Sequence, residues 1–102
     1  MMENTGIEAL LGNPNAPWIN QAVQTYGVAG NYYGVNANPG GGHVLTIVIR
    51  GGHTHLQAAS FTPYNHYSML RTIEDSWHLG CLANTCHRQS VPAMNDLVDR
   101  RR

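Results

Sequence analysis

Three histidines in the middle of this 102-residue chain have the types and spacing of a metal site. His53 and His55 stand two residues apart, and His66 follows eleven residues after His55. On an extended backbone, side chains two residues apart point to the same side, so the first two imidazoles can reach one ion. Three imidazoles with a fourth position open to water are the ligands of a catalytic zinc site. We therefore predict that these histidines bind a divalent metal, zinc or manganese. Exposed histidines that share no ion are the alternative.

The residues around His66 suit a phosphate ester. Asn65 can cap a helix that runs to about Trp77, and the first turn of such a helix offers backbone N–H groups and a positive dipole end to an anion. We predict that Asn65, Tyr67 and Arg71 bind substrate. For Arg71 the alternative is an ion pair with the carboxylate four residues further on, and for Tyr67 it is packing.

Cys81 and Cys86 are the only cysteines of the chain. A C-x4-C pair can close a small disulfide loop, supply two thiolates to a metal, or stay reduced. His87 follows Cys86 directly and could complete a Cys-Cys-His ligand set. The spacing leaves these alternatives open.

Helical periodicity predicts the elements that position these side chains. Residues 5–11 predict a helical turn, and a second helix carries Pro17 in its first turn and stops at Gly27. The helix capped by Asn65 is predicted to bury an apolar stripe. That stripe consists of Met69, Leu70, Ile73 and Trp77. A last helix begins near residues 90–92.

Residues 43–50 form the most convincing predicted strand, an apolar and β-branched run of the kind that is buried on both faces. Residues 27–33 are the candidate partner within the chain. Because one strand cannot make a sheet, we also expect pairing with a second copy, which predicts a homodimer. The predicted fold is one small α/β (or α+β) domain over residues 1–102.

The composition excludes several function classes. Formal net charge is zero and charged residues are only 12%, so no broad basic footprint for nucleic acid is present. No apolar run approaches the roughly 20 residues that span a bilayer. As the sequence is written, residues 1–4 do not begin the charged and then apolar segment of an export signal, so a cytoplasmic location is expected by default. The expected partner is a small molecule, and the resemblance described next implies that it is a phosphate ester.

Residues 63–75, PYNHYSMLRTIED, are similar to the PYNHYSLLRTIED signature of the bacterial phosphoesterase family, which comprises acid phosphatases and phospholipase C-type enzymes of the alkaline phosphatase superfamily. Residues 2–4, 12–20 and 31–33 resemble the opening MEN, APYIN and NYY pattern of that family, and residues 45–49 resemble the strand that precedes its signature. The resemblance covers most of the chain and implies an α/β fold and phosphate-ester hydrolysis, often in an exported protein.

The same resemblance implies metal ligands at Glu3 and Asn4, which match an acidic–amide pair of the family. A frayed chain terminus is the alternative for these two residues. The chain also departs from the family, because the middle of the longer relatives is absent. Residues 35–42 hold no Ser or Thr where the family has its nucleophile region, and the acidic DE/DD…GG segment is missing.

Together these observations predict metal-dependent hydrolysis of phosphate esters, more readily diesters, by a metal-activated water. His66 is the predicted catalytic residue. Two alternatives come from other classes: a catalytically inactive truncated remnant, and a metal-binding module built on Cys81, Cys86 and the histidines.

Overall fold

A computed structural model describes residues 1–2, 5–35, 42–49 and 58–98. Within these residues the chain forms four α-helices and a three-stranded mixed sheet, which confirms a small α/β fold. The helices are α1 (Ile7–Leu10), α2 (Pro17–Thr25), α3 (His66–Ser76) and α4 (Asn95–Val98). The strands are β1 (Gly27–Ala29), β2 (Thr46–Val48) and β3 (Ala58–Ser60), and a 3₁₀ helix spans Ala83–Cys86. No helix among the described residues is long and apolar enough to cross a membrane.

The sheet has the order β2-β1-β3, with β1 at its centre. β1 runs antiparallel to β2, with Val28 opposite Ile47, and parallel to β3, with Val28 opposite Ala59. The predicted pairing of the 43–50 segment with the 27–33 segment is confirmed. The third strand, at residues 58–60, was not among the strands predicted from the sequence. The side chains of Ala58, Ala59 and Ser60 are too small to indicate a strand in the sequence. In the folded chain these residues form hydrogen bonds with the free backbone edge of β1.

Successive residues of the strands face two different cores. Val28 and Leu45 pack with Ile7 of α1 on one face of the sheet. Ala29 faces the other side, where it meets a second cluster. The other members of that cluster are Tyr32, Tyr64, Met94 and Leu97.

Helix α3 begins and ends within one residue of its predicted limits, but its predicted buried stripe was wrong for three of four residues. Met69 is half-buried against the second cluster. The other three are exposed: Leu70 at 41%, Ile73 at 45% and Trp77 at 74%. The inner side of α3 instead presents Ser68 and Thr72, and the Thr72 hydroxyl accepts a hydrogen bond from the Met94 N–H at 2.9 Å. Small polar residues let α3 approach this backbone closely, which turns the larger side chains outward.

Helix α4 is tied to the sheet through one carboxylate. Asp96 accepts hydrogen bonds from the Tyr64 hydroxyl at 2.6 Å and from the Ser60 hydroxyl. Burial, followed by the hydrogen bond to Asp96, raises the pKa of Tyr64 to about 12. The phenol therefore remains a donor, and Asp96 joins β3 and the start of α3 to the last helix.

Candidate functional site

Of the five predicted metal ligands, one lies within the described residues. Glu3, Asn4, His53 and His55 lie outside the described residues, and His66 alone lies within them. Residues 1–2, 5–35, 42–49 and 58–98 contain no group of three or more His, Cys, Asp or Glu side chains that could hold a metal ion. Metal binding therefore stays a prediction.

His66 is the first residue of α3, and its position is set by a buried tyrosine. Its Nδ1 lies 2.9 Å from the Tyr32 hydroxyl oxygen, and the two rings meet edge to face with centroids 5.4 Å apart. Tyr32 is fully buried, whereas His66 is exposed. A residue of the core thus holds the imidazole through Nδ1. The other nitrogen, Nε2, has no hydrogen-bond partner among the residues that the structure describes.

The Tyr32 hydroxyl can support either neutral form of this imidazole. Burial raises the pKa of Tyr32 to about 12, so the phenol keeps its proton at ordinary pH. When the phenol donates to Nδ1, the proton of the neutral ring is on Nε2, which can then donate to an anionic oxygen. When Nδ1–H donates to the phenol oxygen, Nε2 carries a lone pair that can take a proton or bind a cation. Because a hydroxyl both donates and accepts, both forms keep the Tyr32 contact.

The start of α3 is closed by Asn65, which was predicted to contact substrate. The Asn65 side-chain oxygen accepts from the Tyr67 N–H at 2.9 Å and from the Ser68 N–H at 3.2 Å. The Ser68 hydroxyl in turn accepts from the Asn65 N–H at 3.2 Å. These bonds form a capping box and use donors that an anion would need. A substrate at this end of the helix therefore meets the His66 side chain rather than a row of free N–H groups.

Arg71, also predicted to bind substrate, points toward the segment before α4. Its Nη1 donates to the Arg88 carbonyl at 2.9 Å and to the Val91 carbonyl. Its Nε lies 3.4 Å from Asp75, which also accepts from the Arg88 guanidinium at 3.1 Å. The structure therefore shows the ion-pair alternative for Arg71. Tyr67 is half-buried.

Cys81 and Cys86 are joined as a disulfide with an S–S distance of 2.01 Å. Of the three alternatives that the C-x4-C spacing left open, this is the one that the structure contains. In this state neither sulfur is a thiolate, so the pair offers no metal ligand.

A second histidine, which the sequence did not single out, has both ring nitrogens engaged. His43 Nδ1 lies 2.8 Å from the Glu8 carboxylate, and Nε2 lies 2.7 Å from the Gly30 carbonyl oxygen. The ring also stacks on Tyr33 at a centroid distance of 4.5 Å. A hydrogen bond from its own backbone N–H and the bond from His43 hold the pKa of Glu8 below its usual value. These contacts make His43 a structural residue.

The sequence also missed Tyr32 as the partner of His66. The only available signal was its place in the NYY segment, at residues 31–33, and that pattern does not show which tyrosine turns inward. The two residues are 34 positions apart, so only the folded chain brings them together.

No family model, curated protein or solved structure matches this chain. The family resemblance of residues 63–75 accordingly stays a prediction.

Proposed function

We propose that this chain hydrolyses phosphate esters, diesters in preference to monoesters, with His66 at the reacting phosphate. The observation that supports this proposal is the pairing of an exposed imidazole with a buried, neutral phenol. Such a partner fixes the ring orientation while Nε2 stays open toward substrate, an arrangement that general acid–base catalysis needs.

The His66 side chain can perform the proton transfers that the hydrolysis requires. The Nε2 lone pair of His66 takes a proton from water as the water oxygen forms its bond to phosphorus. The bond from phosphorus to the leaving-group oxygen breaks, and the imidazolium returns the proton to that oxygen. Throughout, Nδ1–H stays bonded to the Tyr32 hydroxyl, which therefore acts as a positioning residue.

The preference for diesters follows from the charge available near α3. Arg71 is the cationic side chain of the signature segment, and its guanidinium is already bonded to two carbonyls and to Asp75. A doubly charged monoester would need further cationic groups for its oxygens, whereas a singly charged diester needs fewer.

Zinc or manganese fits the chemistry of the predicted donor set, which combines imidazole, carboxylate and amide groups. Of these donors, His66 has the contact expected of a metal ligand, because ligating imidazoles bond through their second nitrogen to a fixed partner. A bound cation would supply charge neutralisation and a water of lowered pKa. The ligand role and the base role both require Nε2, so His66 performs one of them in a given enzyme.

The test is hydrolysis of a chromogenic phosphodiester by chelator-treated protein, before and after addition of zinc or manganese. His66→Ala is expected to lower turnover by about 100-fold or more, while the control His87→Ala, at another exposed histidine, retains it. Turnover without added metal assigns His66 the base role, and turnover restored by metal supports the ligand role. Turnover that is not reduced in His66→Ala would contradict the proposal.

The inactive remnant is the second candidate, and a specific observation favours it. The Asn65 side chain is used in the helix cap, and Arg71 donates from Nη1 to two carbonyls and pairs with Asp75, as expected of a helix that only stabilises the fold. Absence of turnover with every metal tested would establish this candidate. The Cys/His metal module predicts that Cys81→Ser with Cys86→Ser abolishes metal binding, whereas our proposal predicts little loss of metal binding.

A further inference from the structure

The loop that the Cys81–Cys86 disulfide closes covers a buried carboxyl group of α3. Thr85, within this loop, is fully buried, and its hydroxyl oxygen lies 3.1 Å from Glu74 Oε2. Glu74 is only 4% exposed, and its other oxygen, Oε1, has no hydrogen-bond partner among the residues that the structure describes. A buried carboxyl oxygen without a partner costs free energy, because it has lost its contacts with water. The covered state therefore gives up hydration that Glu74 would regain if the loop moved away.

The same loop contains a residue in a strained backbone conformation. Ala83 has a φ of 52°, in the left-handed region, where the Cβ atom comes close to the following carbonyl oxygen. Residues other than glycine keep such a conformation only where the surrounding structure enforces it. Ala83 lies between the two cysteines, so the covalent closure of the loop is the constraint nearest to it. Opening the disulfide would let Ala83 relax.

The attachment of this part of the chain to α3 depends on little buried surface. We call residues 81–88 the disulfide segment, and Thr85 is the single buried residue in it. Arg88 adds two contacts at the surface: its carbonyl accepts from Arg71 Nη1 at 2.9 Å, and its Nη2 donates to Asp75 at 3.1 Å. Exposed ion pairs of this kind stabilise a fold only weakly. The disulfide is therefore the strongest constraint on the position of the segment.

The disulfide is open to a chemical reductant. Both Cys81 and Cys86 are exposed, so a small dithiol can reach them in the folded chain. We propose that this disulfide is a redox-sensitive switch, which a dithiol opens to release the disulfide segment from α3. In the oxidised chain the segment is held with Thr85 against Glu74, and in the reduced chain it leaves α3 and Glu74 meets water. This inference does not depend on the proposed hydrolysis.

The exchange with a dithiol balances in electrons and protons. A thiolate of the dithiol attacks the sulfur of one cysteine and forms a mixed disulfide, while the other cysteine sulfur leaves as a thiolate and takes a proton. The second thiol of the reagent then attacks the mixed disulfide, which releases the first cysteine as a thiol and closes the disulfide of the reagent. The protein thereby gains two electrons and two protons, and the dithiol loses them.

Amide hydrogen exchange of the full chain, measured by mass spectrometry before and after treatment with dithiothreitol, tests this proposal. Reduction should speed exchange within residues 82–88 by roughly 10-fold or more, because the loop loses its covalent closure. Exchange in β1 should stay the same, which shows that the fold persists. The double variant Cys81→Ser with Cys86→Ser should exchange as fast as the reduced chain. Unchanged exchange within residues 82–88 overturns the proposal, as does a disulfide that dithiothreitol reduces only in urea.

A second measurement separates a switch from a disulfide that merely closes a loop. Thr85→Val keeps the shape of the buried side chain and removes its hydroxyl, so exchange within residues 82–88 of the oxidised chain should rise roughly 5-fold. In the double serine variant the same substitution should have little effect, because Thr85 is no longer against Glu74. Asn84→Ala, at the exposed neighbour, is the matched control and should change neither form.

The comparison of the two backgrounds decides the outcome. An equal effect of Thr85→Val in the oxidised chain and in the double serine variant would show that Thr85 stays on α3 without the disulfide, which overturns the proposal. If Thr85→Val does not fold, the exchange of the double serine variant decides: slow exchange within residues 82–88 overturns the proposal, and fast exchange supports it.

Discussion

His43 and His66 are both held by hydrogen bonds, but they leave different groups available. His43 has its two nitrogens against Glu8 and the Gly30 carbonyl, and its ring is covered by Tyr33. His66 has one nitrogen against Tyr32, while its other nitrogen has no partner among the described residues. An imidazole whose two nitrogens both face acceptors links a carboxylate of one element to the backbone of another, whereas an imidazole held at a single nitrogen can still react.

The difference depends on what surrounds each ring rather than on the residue type. His43 lies between α1 and the residue that follows β1, where a carboxylate and a carbonyl are both within reach. His66 begins a capped helix, and the cap satisfies the neighbouring backbone donors without using its side chain. In this chain the open ring nitrogen, rather than the mere presence of histidine, marks the candidate site.

The largest expected effect comes from removing the open imidazole. His66→Ala should lower kcat/KM for a phosphodiester by about 100-fold or more, because positioned acid–base groups contribute 10²–10⁴-fold. His43→Ala should leave kcat/KM unchanged at temperatures where the protein is folded. Steady-state kinetics on both variants measures this contrast, and equal losses in the two would remove the distinction between the histidines.

The next effect is loss of the phenol behind His66. Tyr32→Phe keeps the buried ring but removes the hydroxyl that holds Nδ1, so kcat should fall by roughly 10-fold with little change in KM. Tyr33→Phe, next to it in sequence, is the control and should retain full activity. An unchanged kcat in Tyr32→Phe would show that the hydroxyl does not position the imidazole.

The complementary effect is on stability. His43→Ala removes the hydrogen bond to the Gly30 carbonyl and the stacking on Tyr33, which should lower the free energy of unfolding by about 1–2 kcal/mol. Urea unfolding followed by circular dichroism measures the change. His87→Ala, at an exposed histidine, should change it by less than about 0.5 kcal/mol. A His43→Ala variant as stable as the wild type would show that the closed histidine contributes nothing to the fold.

Alkaline pH should lower the stability that the two tyrosines of the second cluster, Tyr32 and Tyr64, contribute to the fold. The folded pKa of Tyr32 and of Tyr64 is raised from 10.0 to about 12 by burial, so folding favours the neutral phenols. Their contribution to stability is complete below pH 10 and is lost as the pH rises from 10 to about 12. Unfolding measured across that range tests this, and Tyr32→Phe should flatten the decline. A stability independent of pH in this window would show that the phenols are not sequestered.

The smallest effect concerns the carboxylate beside the closed histidine. The pKa of Glu8 is lowered from 4.5, first by its own backbone N–H and then by His43. Its contribution is therefore present above pH 4.5 and is lost as the pH falls through the lower folded pKa. Glu8→Gln should remove part of the acid sensitivity measured by thermal unfolding. Because Glu8 is exposed and salt screens such a pair, high salt should have a similar effect on the wild type.

Much of the local structure could be predicted from the sequence because local patterns specify it. Asn65 predicts a helix start, and the structure confirms Asn65 as the N-cap of α3. The apolar run at residues 43–50 predicted a strand and its pairing with the 27–33 segment. The prediction that Leu70, Ile73 and Trp77 are buried was wrong, because helical spacing shows that side chains share a face but not which way that face points.

The sequence by itself determined where α3 begins, which segments make the central strand pair, and which side chains could carry chemistry. These features depend on backbone geometry and on neighbours a few residues apart. Only the tertiary structure decided that Tyr32 meets His66, that Arg71 bonds toward the last helix, and that the apolar side of α3 faces outward. Each of these outcomes depends on contacts between segments far apart in the chain, where packing selects among arrangements that local spacing allows equally.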